Sequence, residues 1–382
     1  MNSNRRSFIL STATIAAAPL LGGWMRTAMA ATGAAPEPWQ GYSTATVIDA
    51  LGGPGQYGAD PAASLTAAML DDVRKSGLTA VNLTVSGVGS YSHDYDTTIA
   101  NIAYWNDQIA EHPDRLMLVR RGSDLALAKS GGRLGLIYGF QDTTPLFEDI
   151  DRIAEFVQFG VRIIQLTYNI RNLVGDGCME PGDAGLSRFG AKVVEKLNDQ
   201  RVLIDLSHSG RRTALEAIAA SKVPVAITHT GCAALAKLPR NKTDAELKAL
   251  ADKGGVVGIY LMPFLRDQGQ PMAADVIAHI EHAIKVCGED HVGIGSDGSI
   301  SPTPFTDEFR KTFAAEVAQR KALGIGAVGE RPDIYTFVPD LNQADRYAVV
   351  GGLLKQRGHG DERIGKVLGG NFARLFGDVF PT

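Results

Sequence analysis

The stretch from Arg201 to Arg240 constrains the fold more than any other. It holds two apolar strand-like runs, RVLIDLSHS and VPVAITHTG, which reach their ends at His208 and His229. Between them RRTALEAIAASK has the apolar spacing of an amphipathic helix. Strand, helix and strand in so few residues predict a parallel βαβ unit buried on both faces. The carboxyl ends of its strands then lie side by side, where α/β folds place their ligands. Both imidazoles should point into one mouth, and Arg240, in LPRN, can reach it with a fixed positive charge. A single strand-end histidine more often caps a helix or satisfies a core contact. Two on adjacent strands, each after Ser or Thr, favour a metal site.

The same alternation runs through the chain. Strand candidates are TATVIDAL, LTAVNLTV, LMLVR, RLGLIYGF, RIIQLTY, RVLIDLSH, VPVAITH, VVGIYL and HVGIGSD, most of them separated by helical spacing. That is one more than a closed (β/α)8 ring needs, and LMLVR, the shortest, is expected outside it. The predicted class is therefore α/β, a (β/α)8 TIM barrel with extra C-terminal helices packed on its outside. No linker, repeat or charge block divides residues 31–382, which read as a single domain. A 45% hydrophobic, 21% charged chain of net charge −4 gives no basic surface for nucleic acid. Cys178, Cys232 and Cys287 are odd in number and widely spaced, so no disulfide framework is expected.

Residues 1–30 read as a targeting segment. Arg5 and Arg6 precede Phe8-Ile9-Leu10, a weakly apolar run follows, and Ala28-Met29-Ala30 supplies a small-x-small cleavage pattern. Paired arginines ahead of an apolar core resemble a twin-arginine signal, which implies export to the periplasm. The run is short for a membrane span, so none is expected after cleavage.

Strand ends populate the mouth. The first ends at Asp49-Ala50-Leu51-Gly52-Gly53, the fourth at Gln141-Asp142 and the fifth at Tyr168-Asn169. The sixth and seventh bring His208 and His229, and the last brings Asp297. A carboxylate at Asp297 suits a proton shuttle, or equally a cap for the next helix.

On these residues the chain resembles the membrane (renal) dipeptidase family of zinc peptidases. The resemblance is carried by GLSRFGAKVVEKLNDQRVLIDLSHSG, VPVAITHTGCAAL, LPRNKTDAELKALADKGGVVGI, HVGIGSD and KVLGGNFARLF. It implies that His208 and His229 hold the second, more exposed zinc. Arg240 would bind the substrate carboxylate and steady the tetrahedral intermediate, and Asp297 would transfer the proton. Four positions depart from the pattern. The family's first-metal His-x-Asp falls on Leu51 and Gly53, its bridging glutamate on Gln141, and a histidine near the scissile carbonyl on Tyr168. Leu and Gly offer no ligand atom, and a Gln carbonyl is a weak zinc donor. The expectation is one zinc per chain or none, with Gln141 and Asp49 as weak ligands or as groups that support the ligands from behind. His93 and Asp96 are candidate replacement ligands; His279 and His282, flanking Glu281 on an outer helix, read as surface residues. The expected partner is a small dipeptide-like substrate, with a homodimer left open. Three classes follow: a metal-dependent hydrolase of dipeptides or carboxylate-bearing amides, a proton-transfer or isomerising tailoring enzyme using Asp297, Tyr168 and Arg240, and a carboxylate-binding protein.

Overall fold

The computed structural model describes residues 37–59, 63–87 and 94–382, so the targeting segment and His93 lie outside the described residues. Eight parallel strands form the ring: β1 (Ile48–Asp49), β2 (Ala80–Thr84), β3 (Leu134–Phe140), β4 (Val161–Gln165), β5 (Leu203–Asp205), β6 (Ala226–Thr230), β7 (Val256–Ile259) and β8 (Val292–Ile294). Each pairs in parallel with the next in chain order, from β1 to β8. Leu116–Leu118, the expected outsider, pairs only with β3 and is off the ring. The seam between β1 and β8 is joined by scattered backbone bonds instead of a ladder. Ala50 N donates to Ile294 O (2.9 Å), Asp297 N to Leu51 O (2.8 Å), and Gly52–Gly53 pairs with Gly298–Ser299.

Around the ring run, among others, α1 (Arg211–Ala220), α2 (Asp244–Asp252), α3 (Ala273–Cys287), α4 (Asp307–Ala322) and α5 (Arg346–Gln356), and the chain closes with α6 (Asn371–Val379). Their boundaries follow local chemistry. Thr243 caps α2 and forms a reciprocal capping box with Glu246, worth about 1 kcal/mol.

The interior changes character along the strands. Near the strand starts, Ile48, Ala80, Ile137, Ile163, Leu203, Ala226 and Val256 pack against Phe372, Leu375, Phe376, Val379 and Phe380. The remaining strand contributes Gly293, where a Cβ would fall 2.5 Å from the Phe372 ring. Helix α6 therefore plugs the floor of the barrel, whereas the sequence reading placed the whole tail outside. Each fully buried Phe there contributes about 1.5–3 kcal/mol of burial free energy. Only the earlier part of the tail packs outside, where Val350, Leu354 and Ile364 join the larger cluster between strands and helices.

Two residues further along, the inward positions are Asn82, Gly139, Gln165, Asp205, Thr228, Gly258 and Gly295. A Cβ at Gly258 or at Gly295 would fall 2.0 Å from the Thr228 carbonyl oxygen, so neither position admits a side chain without movement. A polar layer thus sits directly beneath the mouth.

Candidate metal centre and active site

The two histidines are held by different chains of hydrogen bonds that end the same way. His208 Nδ1 lies 2.7 Å from Asn169 Oδ1, and Asn169 Nδ2 donates to Ile325 O at 2.9 Å. The amide oxygen can only accept, so the His208 proton sits on Nδ1 and Nε2 is a bare lone pair. For His229 the order is set one residue away. Thr228 Oγ1 donates to Asp205 Oδ2 (2.5 Å), which leaves its lone pair to accept from His229 Nδ1–H at 2.8 Å. The β6–β7 register shifts between Ile227 and Thr230, an irregularity that lets consecutive side chains serve one end of the barrel. Both Nε2 atoms are buried and have no hydrogen-bond partner, and the ring centroids are 5.0 Å apart.

Asp297 completes the group. Its carboxylate and the two imidazoles offer ligand atoms within 4.8 Å of one another. Its backbone lies in the left-handed region, φ 59°, a conformation that costs a non-glycine residue about 1–2 kcal/mol. The bond from Asp297 N to Leu51 O at 2.8 Å helps hold it there. Asp49 supplies the rest of the clamp. Its Oδ1 accepts from Ser296 N (2.7 Å) and Leu51 N (3.2 Å), and its Oδ2 from Ser296 Oγ (2.6 Å). Both Asp49 oxygens are thus engaged in closing the seam, and Asp49 joins no candidate metal group among the described residues.

Electrostatics separate the roles. Burial, reinforced by the Arg240 guanidinium, holds both histidines well below their ordinary pKa, so they are neutral donors. Burial pushes the Asp297 carboxyl up to about 7 even though Arg240 and Arg320 pull the other way. Arg240 is 1% exposed; Nη1 donates to Ser207 O at 2.8 Å, while Nη2 has no partner. The chamber therefore presents two bare lone pairs, the unpartnered Nη2 of Arg240 and a carboxyl poised to exchange a proton near neutrality. That donor set fits a cation on the imidazoles and an anionic ligand group on the arginine.

The Tyr168 ring stacks on His208, with centroids 4.1 Å apart, and lines the cleft on its other side. Burial raises its phenol above the ordinary range, and its hydroxyl is hydrogen-bonded to Arg320. Gln141 Nε2 donates to Thr84 Oγ1 at 2.9 Å, which leaves its carbonyl oxygen, a weak zinc donor, unengaged by that bond. Leu51 is 3% exposed and faces the cleft as hydrocarbon. A Cβ at Gly53 would start 2.9 Å from Leu83 Cδ1. Among the described residues, His208, His229 and Asp297 are the one cluster suited to a metal.

Several expectations need correction or fall outside. His279 is buried, not on the surface: Nδ1 accepts from Cys232 N (2.9 Å) and Nε2 meets Leu265 O (3.0 Å). It pins the loop after β6 to α3. His282 is bonded to Asp244 (2.8 Å) and Glu281 to Arg357 (2.7 Å), both on the outside. Asp96 is exposed in the first turn of its helix and joins no metal group.

Sequence reasoning missed Asn169, Asp205 and Thr228 as orienting groups, although all three adjoin strand ends. It also missed Arg320, from the last turn of α4, which forks onto Glu330 (3.0 and 2.9 Å). With Glu330 and Tyr168 it closes one side of a cleft of about 390 Å³ whose base includes Leu51, Tyr168 and Asp297.

Comparisons with known proteins agree with this geometry. A family model for membrane dipeptidase (peptidase family M19) matches residues 63–308. Dipeptidase verJ of Clonostachys rogersoniana is 32% identical over 205 residues, 52% of each chain. The chain spans about half the length of the first curated relatives it matches. Among solved structures, an amidohydrolase from Pseudomonas aeruginosa is 33% identical, with TM-score 0.76 over 89% of this chain and 98% of that one. A metallopeptidase from Rhodobacter sphaeroides, liganded with a phosphinate mimic of the dipeptide L-Ala-D-Ala, shares the fold. Its TM-score is 0.70 at 16% identity, over 88% of this chain and 99% of that one.

Proposed function

The chain belongs to the membrane dipeptidase family, and from that premise we propose that it hydrolyses a dipeptide or small amide bearing a free carboxylate, with a single zinc ion. The observation that carries this reading is the pair of buried, unpartnered Nε2 lone pairs facing Asp297 and the unpartnered Arg240 Nη2. Burying such groups without partners costs about 1–3 kcal/mol each, a penalty that a cation and a carboxylate would remove. His208 and His229 would hold zinc beside Asp297; zinc there would supply Lewis-acid polarisation and acidify water.

The chain's own residues divide the work. Arg240 pairs with the ligand carboxylate and fixes its register against the imidazoles. Asp297, whose carboxylate faces the two imidazoles, takes the proton of the attacking water and returns it to the leaving amine. Tyr168 covers His208 and, held by Arg320, keeps solvent off that side of the chamber. Supporting a single cation are Leu51 and Gly53, without donors, and Gln141, whose neutral carbonyl is a weak zinc donor. Those same residues favour a second reading, a proton-transfer tailoring enzyme that works through Asp297 and Tyr168 without hydrolysis.

We place the protein in the periplasm on the Arg5-Arg6 signal; no described helix is long and apolar enough to cross a membrane. A screen of L,L- and L,D-dipeptides with zinc-loaded protein tests the reading. Hydrolysis that is lost in Asp297→Asn supports it. Binding without turnover, abolished in Arg240→Ala, would remove the hydrolase and leave the tailoring enzyme or a carboxylate-binding protein.

A further inference from the structure

The cleft changes chemistry from base to rim. At its outer half, three separate segments bring aromatic rings together. Tyr57 comes from the loop after β1, Phe309 and Phe313 from α4, and Tyr335 and Phe337 from the chain leading to α5. Phe309 stacks on Phe313 (centroids 5.7 Å) and Tyr335 on Phe337 (5.8 Å), with Tyr57 edge-on to Phe309 (5.3 Å). Of these, Tyr57, Phe313 and Phe337 line the cleft itself. Leu51, Leu83 and Leu261 line the same cleft, as does Asp297.

The charged groups on the wall are already engaged. Glu316 accepts from the Tyr57 hydroxyl, and Arg320 is forked onto Glu330. Arg346 donates to the carbonyls of Gln343 and Ile300, both at 2.8 Å. What remains on the wall for a ligand is ring faces and hydrocarbon together with uncharged polar groups such as Ser299, Thr303 and Thr336. This space also includes Tyr168 and Asp297, so its occupant lies against the residues that would carry the chemistry.

We propose that the outer half of the cleft is a subsite for an aromatic side chain of the substrate, seated between Phe313, Phe337 and Tyr57 and resting on Leu51 and Leu83. The proposal rests on the reading of a small carboxylate-bearing substrate and names its class: amides or dipeptides with one aromatic residue. Leu51 gives it a rationale, because an apolar side chain at the base suits a ring where a cation ligand would repel one.

Calorimetric titration of the full mature chain, with zinc added, tests this against four probes: Ala-Phe, Ala-Ala, 3-phenylpropionate and propionate. Turnover of both dipeptides is measured in parallel. The expected result is that Ala-Phe binds about tenfold tighter than Ala-Ala, and 3-phenylpropionate likewise tighter than propionate. Phe313→Ala and Phe337→Ala should erase that preference. Phe313→Leu, which keeps apolar volume and protects against a collapsed fold, should retain only a small part of it. Equal affinity within each pair, or a preference that survives both alanine variants with normal thermal melts, would overturn the subsite. If dipeptides are cleaved without aromatic preference, the subsite falls and the hydrolase stands. If 3-phenylpropionate binds with the expected preference and no dipeptide is cleaved, the subsite stands and the hydrolase falls. Binding of none of the four overturns both.

Discussion

Thr228→Val removes one oxygen at nearly constant volume and tests what fixes the metal-facing nitrogen of His229. In the native chain Thr228 Oγ1 donates to Asp205 (2.5 Å) and accepts from His229 Nδ1–H (2.8 Å). Valine does neither. A buried Nδ1–H left without an acceptor costs about 1–3 kcal/mol, which the ring escapes by moving its proton to Nε2 or by turning. Either escape takes the lone pair out of the chamber. Loss of such an orienting partner costs about 10–100-fold in metal affinity, which corresponds to about 1.4–2.7 kcal/mol. Competition for zinc with a chromophoric chelator reads this directly, and Thr228→Ser should restore most of the affinity because it restores the oxygen. A folded Thr228→Val protein that binds zinc as tightly as the native chain would refute the tautomer argument. It would mean that the orientation of His229 is set by packing alone.

Other outcomes follow from the same geometry. Asp297→Asn should lower kcat by about 10²–10⁴ with KM nearly unchanged, read in steady-state dipeptide assays. Arg240→Ala should instead weaken carboxylate binding by about 2–5 kcal/mol, measured by calorimetry, because it removes one member of a buried charge pair. Burial holds the Asp142 carboxyl up at about 6, against a bond from Asn172. The folded state then binds that proton more tightly than the unfolded chain does. Its contribution to stability is greatest below about pH 4 and declines by up to about 3 kcal/mol as pH rises through about 6. Denaturant titrations should show that decline shrinking in Asp142→Asn; an unchanged pH profile would assign it elsewhere. Lysine at both Arg5 and Arg6 should leave the precursor in the cytoplasm, as fractionation would show; normal periplasmic delivery would mean an ordinary secretory signal.

The barrel was legible because its strands are short apolar runs at regular spacing and because β5 and β6 end on paired polar residues. The shortness of LMLVR was enough to place it off the ring. Helix α6 was harder, since NFARLFGDVF has one strongly apolar face that would cover the outside of a barrel as readily as plug its floor. Only the small inward residues Ala80, Ala226 and Gly293 leave room for its phenylalanines, and that space appears when the strands are assembled. Arg320 was hidden for a different reason. It stands among Arg310, Lys311 and Lys321 on a polar helix, and nothing local marks which of these cations turns inward. Its role comes from Glu330, ten residues on, and from Tyr168, which reaches it through the fold. His279 misled by its company: just ahead of a surface glutamate and a surface histidine it reads as exposed, yet helical spacing turns it to the core.

The number of zinc ions held by the purified chain tests the central claim most directly. Elemental analysis of protein loaded with zinc and freed of loosely bound metal should find at most one zinc per chain. That zinc should be lost in His208→Ala and in His229→Ala. Two tightly held zinc ions per chain, or one that survives both substitutions, would contradict a half-site built on these imidazoles and would place ligands elsewhere in the mouth.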